Sequence, residues 1–217
     1  MKIPLEAVVQ LLHESPQASL ATLSQSLPGY PFASALPFAV DDTQAPLFLI
    51  SRLAEHTRNL SGDARASLLI QTREHPQPEA SPRLTLLGDA TAFDPQPALI
   101  RRYLRYHPDA ERYLNLGDFG FFRFVPRRMR LIAGFGQMGW VETEEWQQVL
   151  SLPLDMESEL LKDCHPGNGL IGLDCYGMDK MMNGARERIS FPRAVQPDQI
   201  RAMLVRLGLC QESGGRL

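Results

Sequence analysis

The feature that most constrains this chain is a series of short apolar runs whose connections are mostly too brief for a crossover. Ala18–Gln25, Phe32–Val40, Leu47–Ile50, Ala66–Thr72, Arg83–Phe93, Phe119–Val125 and Met129–Ala133 read as strands, after an opening helix at Pro4–His13. Parallel neighbours need a dozen or more intervening residues, and most of these links are shorter. Only Asp94–Leu116 is long enough for helices. Pro95 and Pro97 open it, and it reads as one helix to Tyr106, a turn at His107 and Pro108, and a second short helix. The pattern predicts an antiparallel barrel or sandwich with a helical excursion, not a doubly wound sheet.

Local chemistry sharpens the outline. Asp41 and Asp42 are expected to close a hairpin-like turn, and Gly88 marks a bulge or a close backbone approach. Pro126 is expected to split two strands. His75–Pro82 reads as a proline-rich loop, and Gly134–Gly139 as flexible. After residue 143 the pattern changes. Helices are expected at Glu142–Leu150, Asp155–Asp163 and Pro197–Leu209, with a turn at His165–Gly169. Three short strands, Leu170–Tyr176, Lys180–Met182 and Ile189–Phe191, lie around Gly177 and Gly184. The expected class is α+β: an antiparallel split β-barrel with helical insertions over residues 1–143, then a small αβββα domain over 144–217.

Composition removes several function classes. A formal charge of −3 and a pI near 6.0 give no basic field for nucleic acid. No apolar run is long enough to span a bilayer. The N-terminal apolar stretch is interrupted by Glu6 and Gln10, unlike a signal peptide. Cys164, Cys175 and Cys210 are odd in number and lack ligand spacing, so they read as small buried apolar groups in a reducing cytoplasm. No Gly-x-Ser-x-Gly elbow occurs and no histidines pair at metal-ligand spacing. The glycines of Gly134–Gly139 do not complete a dinucleotide fingerprint.

The stretch Pro46–Ile70 concentrates the candidate chemistry. Ser51, Arg52, His56, Thr57, Arg58 and Asn59 form a dense donor set between two apolar runs. A strand entering a helix N-terminus offers unpaired N–H groups and a favourable dipole for an anion, and arginine binds phosphate in a two-pronged way. The competing reading is a solvated turn whose arginines pair with Glu55 and Asp63. Ser34 and Arg83 either face the same site or are ordinary strand residues. Arg123, Arg127, Arg128 and Arg130 read as a solvated cluster, and Arg101, Arg102 and Arg105 as the polar face of a helix. His165, beside Gly167 and Gly169, either coordinates iron or sits against a helix C-terminus.

Residues 20–70, and above all the run HTRNL followed by DARASLLI, resemble the FMN-binding split barrel of the pyridoxamine 5'-phosphate oxidase-related superfamily. RLTLLGDATAF, YHPDAERY, GDFGFFRF, AGFGQMGW, GLDCYGMD and ISFPRAV are similar to the haem-utilisation (HugZ-like) branch of that superfamily. The resemblance implies a homodimer with small-molecule sites at the subunit interface. Ser34, Ala35 and Leu36 would line the flavin's ribityl and ring side. Ser51, Arg52, His56, Thr57, Arg58 and Asn59 would lie near its phosphate, and Arg83 would reach the flavin. Asp118 matches the branch's acidic residue.

Two departures qualify what the resemblance implies. Glu55 and His56 stand where pyridoxamine 5'-phosphate oxidases carry Arg and Lys, and their Trp- and Arg-containing tail is absent, which argues against that reaction. Only His165 survives of the branch's two-histidine haem motif, with Leu160 at the earlier position. The resemblance implies an FMN-binding flavoprotein of oxidoreductase type. The alternatives are a haem-binding or haem-degrading protein on the same barrel, and a non-catalytic ligand-binding module. No side chain is assigned as acid or base.

Overall fold

The protein is described by a computed structural model over residues 3–71, 81–133 and 138–211. Its contacts divide it into two units, Met1–Val149 and Leu150–Leu217. Most of the expected His75–Pro82 loop and of the flexible Gly134–Gly139 segment lies outside the described residues.

The first unit is built on one antiparallel sheet of eight strands. These are β1 (Gln17–Leu23), β2 (Pro31–Pro37), β3 (Ala39–Val40), β4 (Pro46–Ser51), β5 (Arg65–Gln71), β6 (Arg83–Ala92), β7 (Phe119–Ile132) and β8 (Met138–Glu142). The order is β2-β1-β5-β6-β7-β4-β3, with β8 also paired to β7. The sheet curls so that β2 comes back alongside β4, giving the expected split barrel. Alternation explains which side is inside. Along β1, Ala18, Leu20 and Thr22 are buried while Leu23 faces outward. Phe38, Phe48, Phe124, Leu68, Ile70, Leu84, Leu86 and Met129 fill the interior. Helix α1 (Leu5–Glu14) buries Val8, Val9, Leu11 and Leu12 and packs on β3, β5 and β6.

The aspartate turn forms as expected. Asp41 Oδ1 accepts from Thr43 N (2.8 Å), Thr43 Oγ1 (2.7 Å) and Ala45 N (2.9 Å). Its other oxygen lies 3.0 Å from Arg123 Nε, an ion pair out of line for a hydrogen bond, and the carboxylate is completely buried. The bulge expected at Gly88 is present, where the β6–β7 register shifts between Leu87 and Gly88. A Cβ there would run into the Val125 carbonyl oxygen and come within 2.8 Å of the Phe124 ring.

Pro126 does not split the strand, because β7 runs unbroken through it. It faces the bulge at Gly88, and it falls between the last residue paired with β4, Arg123, and the first paired with β8, Arg128. A proline is tolerated where the ladder is already interrupted. Arg102 is also placed differently from the sequence reading. It is buried, donates from Nε to the Val40 carbonyl (2.9 Å) and lies over the Tyr106 ring. Among the cluster around Pro126, Arg123 pairs with Asp41, Arg127 with Asp89 and Arg128 with Glu142. The helix expected at Glu142–Leu150 is a single turn, α5 (Thr143–Trp146), started by a capping box between Glu142 and Glu145.

The second unit has the αβββα order expected. Helix α6 (Leu154–Asp163) precedes the meander β9 (Leu170–Asp174), β10 (Gly177–Met182) and β11 (Ala185–Ser190), and α7 (Pro197–Arg206) closes it. Asn183 and Gly184, both with positive φ, make a two-residue hairpin between β10 and β11. Arg188 pairs with Asp174 (2.7 Å) and Asp179 (3.1 Å) inside this unit. The cysteine reading needs correction. Cys164 and Cys210 form a disulfide across an isolated bridge, and only Cys175 is a free buried thiol. Their separation of 46 residues hides the contact, which exists only once the ends of α6 and α7 have been brought together.

Candidate functional site

After β4 the chain turns and enters α2 (Glu55–Gly62), two helical turns where the sequence suggested a polar turn. The turn is pinned from both sides. Ser51 Oγ donates to Asp118 Oδ2 at 2.9 Å and accepts from Leu53 N at 3.1 Å, and Arg52 N donates to the Asp118 carbonyl at 2.7 Å. Glu55 starts the helix, where its charge complements the dipole. The Ser26 hydroxyl (2.8 Å) and then the Arg58 guanidinium (2.7 Å) hold its carboxyl below the usual range.

A cavity of about 600 Å³ opens beside this turn. Ala35 and Leu36 of β2, Leu49, Ile50 and Ser51 of β4, Ala54 and His56 form one wall. The insertion forms the other: α3 (Pro97–Tyr106), a 3-10 turn at Pro108–Ala110 and α4 (Glu111–Leu114) contribute Tyr103, Tyr106, His107, Asp109, Arg112 and Tyr113. The lining is largely aliphatic and aromatic with a few polar groups, the usual make-up of a small-molecule site. Tyr103 is buried and its hydroxyl accepts from Leu49 N (3.3 Å), so burial pushes its phenol well above the ordinary value. His107 Nε2 contacts the Phe38 carbonyl at 2.7 Å. Tyr113 stacks on Phe119 and its hydroxyl takes a hydrogen bond from Arg112 (2.8 Å).

His56 differs from these. Its Nε2 is buried with no hydrogen-bond partner among the described residues, and burial lowers its pKa from 6.5. Ser34 Oγ and Thr57 Oγ1 are buried without partners as well.

The structure therefore brings Ala35, Leu36, Ser51 and His56 to one cavity and separates others of the predicted set. Asn59 is fully buried and spent on the barrel, accepting from Gln25 N (2.9 Å) and donating to Thr22 Oγ1 (3.0 Å). Arg58 is exposed and paired with Glu55, which is the solvated-turn reading of that residue. Arg52 is exposed. Arg83 pairs with Gln71 at the far end of β5 from Arg65, six residues along the strand, roughly 20 Å away. His165 is exposed in the second unit, its backbone N–H bonded to the Leu209 carbonyl (3.1 Å).

A phosphate at the α2 N-terminus would face Glu55, and Asn59 is fully buried with its amide engaged by Thr22 and Gln25. Of the residues that the resemblance assigns to the flavin phosphate, Arg58 and Asn59 are engaged within the protein.

Residues 7–148 match the CREG β-barrel family, nearly the whole first unit. The chain belongs to the CREG β-barrel family. Over 150 residues this CREG-type chain is 35% identical to the chloroplastic noncanonical haem oxygenase HOZ of Arabidopsis thaliana, covering 66% of the chain and 46% of that protein. The chain thus spans about half the length of this curated relative. A haem-binding protein from Mycobacterium smegmatis is 26% identical with a TM-score of 0.61, covering 95% of this chain and 97% of that one. A protein of unknown function from Agrobacterium tumefaciens, 23% identical, shares the fold over 93% of this chain and 94% of its own, with a TM-score of 0.72. Among the described residues of this family member, no helix is long and apolar enough to cross a membrane.

Sequence reading missed the second wall of the cavity. The available signal was the accumulation of tyrosines, Tyr103, Tyr106 and Tyr113, on the one helical insertion.

Proposed function

We propose that the protein binds haem in the cavity between the barrel wall at β2 and β4 and the α3–α4 insertion. The observation that carries this is the cavity itself. It offers about 600 Å³, walls of Leu36, Leu49, Ile50, Tyr103, Tyr106 and Tyr113, and an unshared imidazole, so it suits a flat, mainly apolar ligand with a metal centre. The similarity to a haem oxygenase of Arabidopsis and to a haem-binding protein of Mycobacterium supports it. Oxidative haem degradation, the activity named for the Arabidopsis protein, extends the same reading. The flavin reading loses support from Glu55, Arg58 and Asn59, whose groups are opposed or already engaged.

We further propose that the chain works as a homodimer. A second concavity of about 640 Å³ lies on the outer side of the sheet and includes Ala21, Leu23, Pro31 and Leu87. Leu23 and Leu87 are exposed there, with the Arg65–Asp63 and Arg127–Asp89 pairs beside them. Apolar centre and charged rim are the anatomy of an interface.

The test is titration of the purified chain with ferric haem, followed by its Soret band, with the mass in solution measured alongside. Saturation at one haem per chain supports the reading. A spectrum that stays that of free haem removes it. Bleaching of the bound band by dioxygen and a reductant would extend the reading to degradation.

A further inference from the structure

In the cavity wall, His56 Nε2 is buried without a hydrogen-bond partner among the described residues. Of the two histidines lining the cavity, His107 has its Nε2 engaged by the Phe38 carbonyl at 2.7 Å. Two of the three phenols in the wall are poor alternatives as iron ligands. Tyr103 is held by Leu49 N and strongly disfavoured as a phenolate by burial, and Tyr113 is tied to Arg112. Of the histidines His56 is left, with a buried Nε2 that no described group satisfies.

An unsatisfied buried nitrogen costs about 1–3 kcal/mol, a cost that a ligand in the cavity would offset. Histidine χ2 is a broad, two-fold torsion. Iron ligation requires the ring to turn so that Nε2, buried in the present side-chain position, faces the cavity.

Resting on the haem reading above, we propose that His56 is the axial ligand to the haem iron in this cavity. The helix that carries it is fixed independently of the ligand. Asn59 ties it to Thr22 and Gln25, Glu55 ties it to Ser26, and the Ser51–Asp118 bond anchors the turn before it. This presents the imidazole on a rigid element, as metal ligation requires. Burial opposes protonation of the ring, and the neutral form is the one in which histidine binds metals. His165, the histidine singled out by sequence, sits exposed on a turn of the second unit and is not required by this arrangement.

The test compares the full chain with His56→Ala and His165→Ala, each titrated with ferric haem and examined by absorption and electron paramagnetic resonance. Alanine is a good helix former, so His56→Ala keeps α2, and far-UV circular dichroism checks this. The expected result is a nitrogen-ligated spectrum in the parent and in His165→Ala. In His56→Ala that signature is lost, affinity falls about tenfold or more, and added imidazole restores the signature. The inference is overturned if His56→Ala keeps the parent's spectrum and affinity, or if His165→Ala is the variant that loses them, while haem binding itself stands. If the parent binds no haem, both the inference and the function it rests on fall.

Discussion

Ser51 at the end of β4 and Asp118 at the start of β7 are joined side chain to side chain at 2.9 Å, and the Asp118 carbonyl takes the Arg52 N–H at 2.7 Å. One residue thus fixes both the exit of β4 and the approach to α2, and with it the position of His56. Asp118→Ala removes the carboxylate that orients Ser51. The expected cost is about 1–2 kcal/mol, given a partly exposed bond to a charged group, read from urea unfolding. Haem affinity should fall in step. Unchanged stability and unchanged haem binding would mean that this contact does not position the turn.

Asp41 is a second fixed point, buried, hydrogen-bonded through one oxygen to Thr43 and Ala45 and ion-paired through the other with Arg123. Truncation to Ala strands two backbone donors and leaves Arg123 without its acid. We expect a loss of about 2–4 kcal/mol by denaturant unfolding, with Asp41→Asn losing less because it keeps an acceptor. Equal loss in both variants would assign the effect to charge rather than to the turn.

Acidification should weaken the fold through His56. Its folded pKa lies below the ordinary 6.5 because burial opposes the charge. The unfolded chain therefore takes up a proton that the folded chain refuses as the pH falls below that value. Stability is lost from about pH 6.5 downward until the folded pKa is passed, and nothing is contributed above it. The urea midpoint of the parent should drop between pH 7.5 and 5.5, and His56→Ala should drop less. Parallel pH profiles would refute the assignment.

The thiols give a test of the second unit. Burial, and then Asp174, pushes the Cys175 thiol up to about 12, while Cys164 and Cys210 are bonded to each other. In the absence of reductant, the folded protein should show no thiol reactive toward a maleimide. Unfolding alone should expose one, and unfolding with reduction all three. Three thiols in the unreduced, unfolded chain would contradict the disulfide.

What was legible in the sequence follows from the range of the interactions. The Asp41 turn, the Gly88 bulge and the three-part helical insertion are local, governed by residues within a few positions of each other, and they form where expected. Pro126 misled because its tolerance depends on Gly88, Arg123 and Arg128, which lie on other strands or at changes of partner. The donor-rich turn was visible, but its use was not. Asn59 and Arg58 look like phosphate ligands until the fold sets Thr22, Gln25 and Glu55 against them. The cavity's far wall comes from residues 103–113, more than fifty positions from Ser51 on the opposite wall, and no local pattern pairs the two.

The most direct measurement is a competition for the cavity. The full chain is titrated with ferric haem and, separately, with FMN, and both titrations are repeated with Ala35→Trp, which fills the cavity from an exposed strand position. The account requires saturable Soret changes with haem, their loss in Ala35→Trp, and no quenching of FMN fluorescence at micromolar protein. Tight FMN binding with no haem binding, or haem binding that Ala35→Trp leaves untouched, would contradict it.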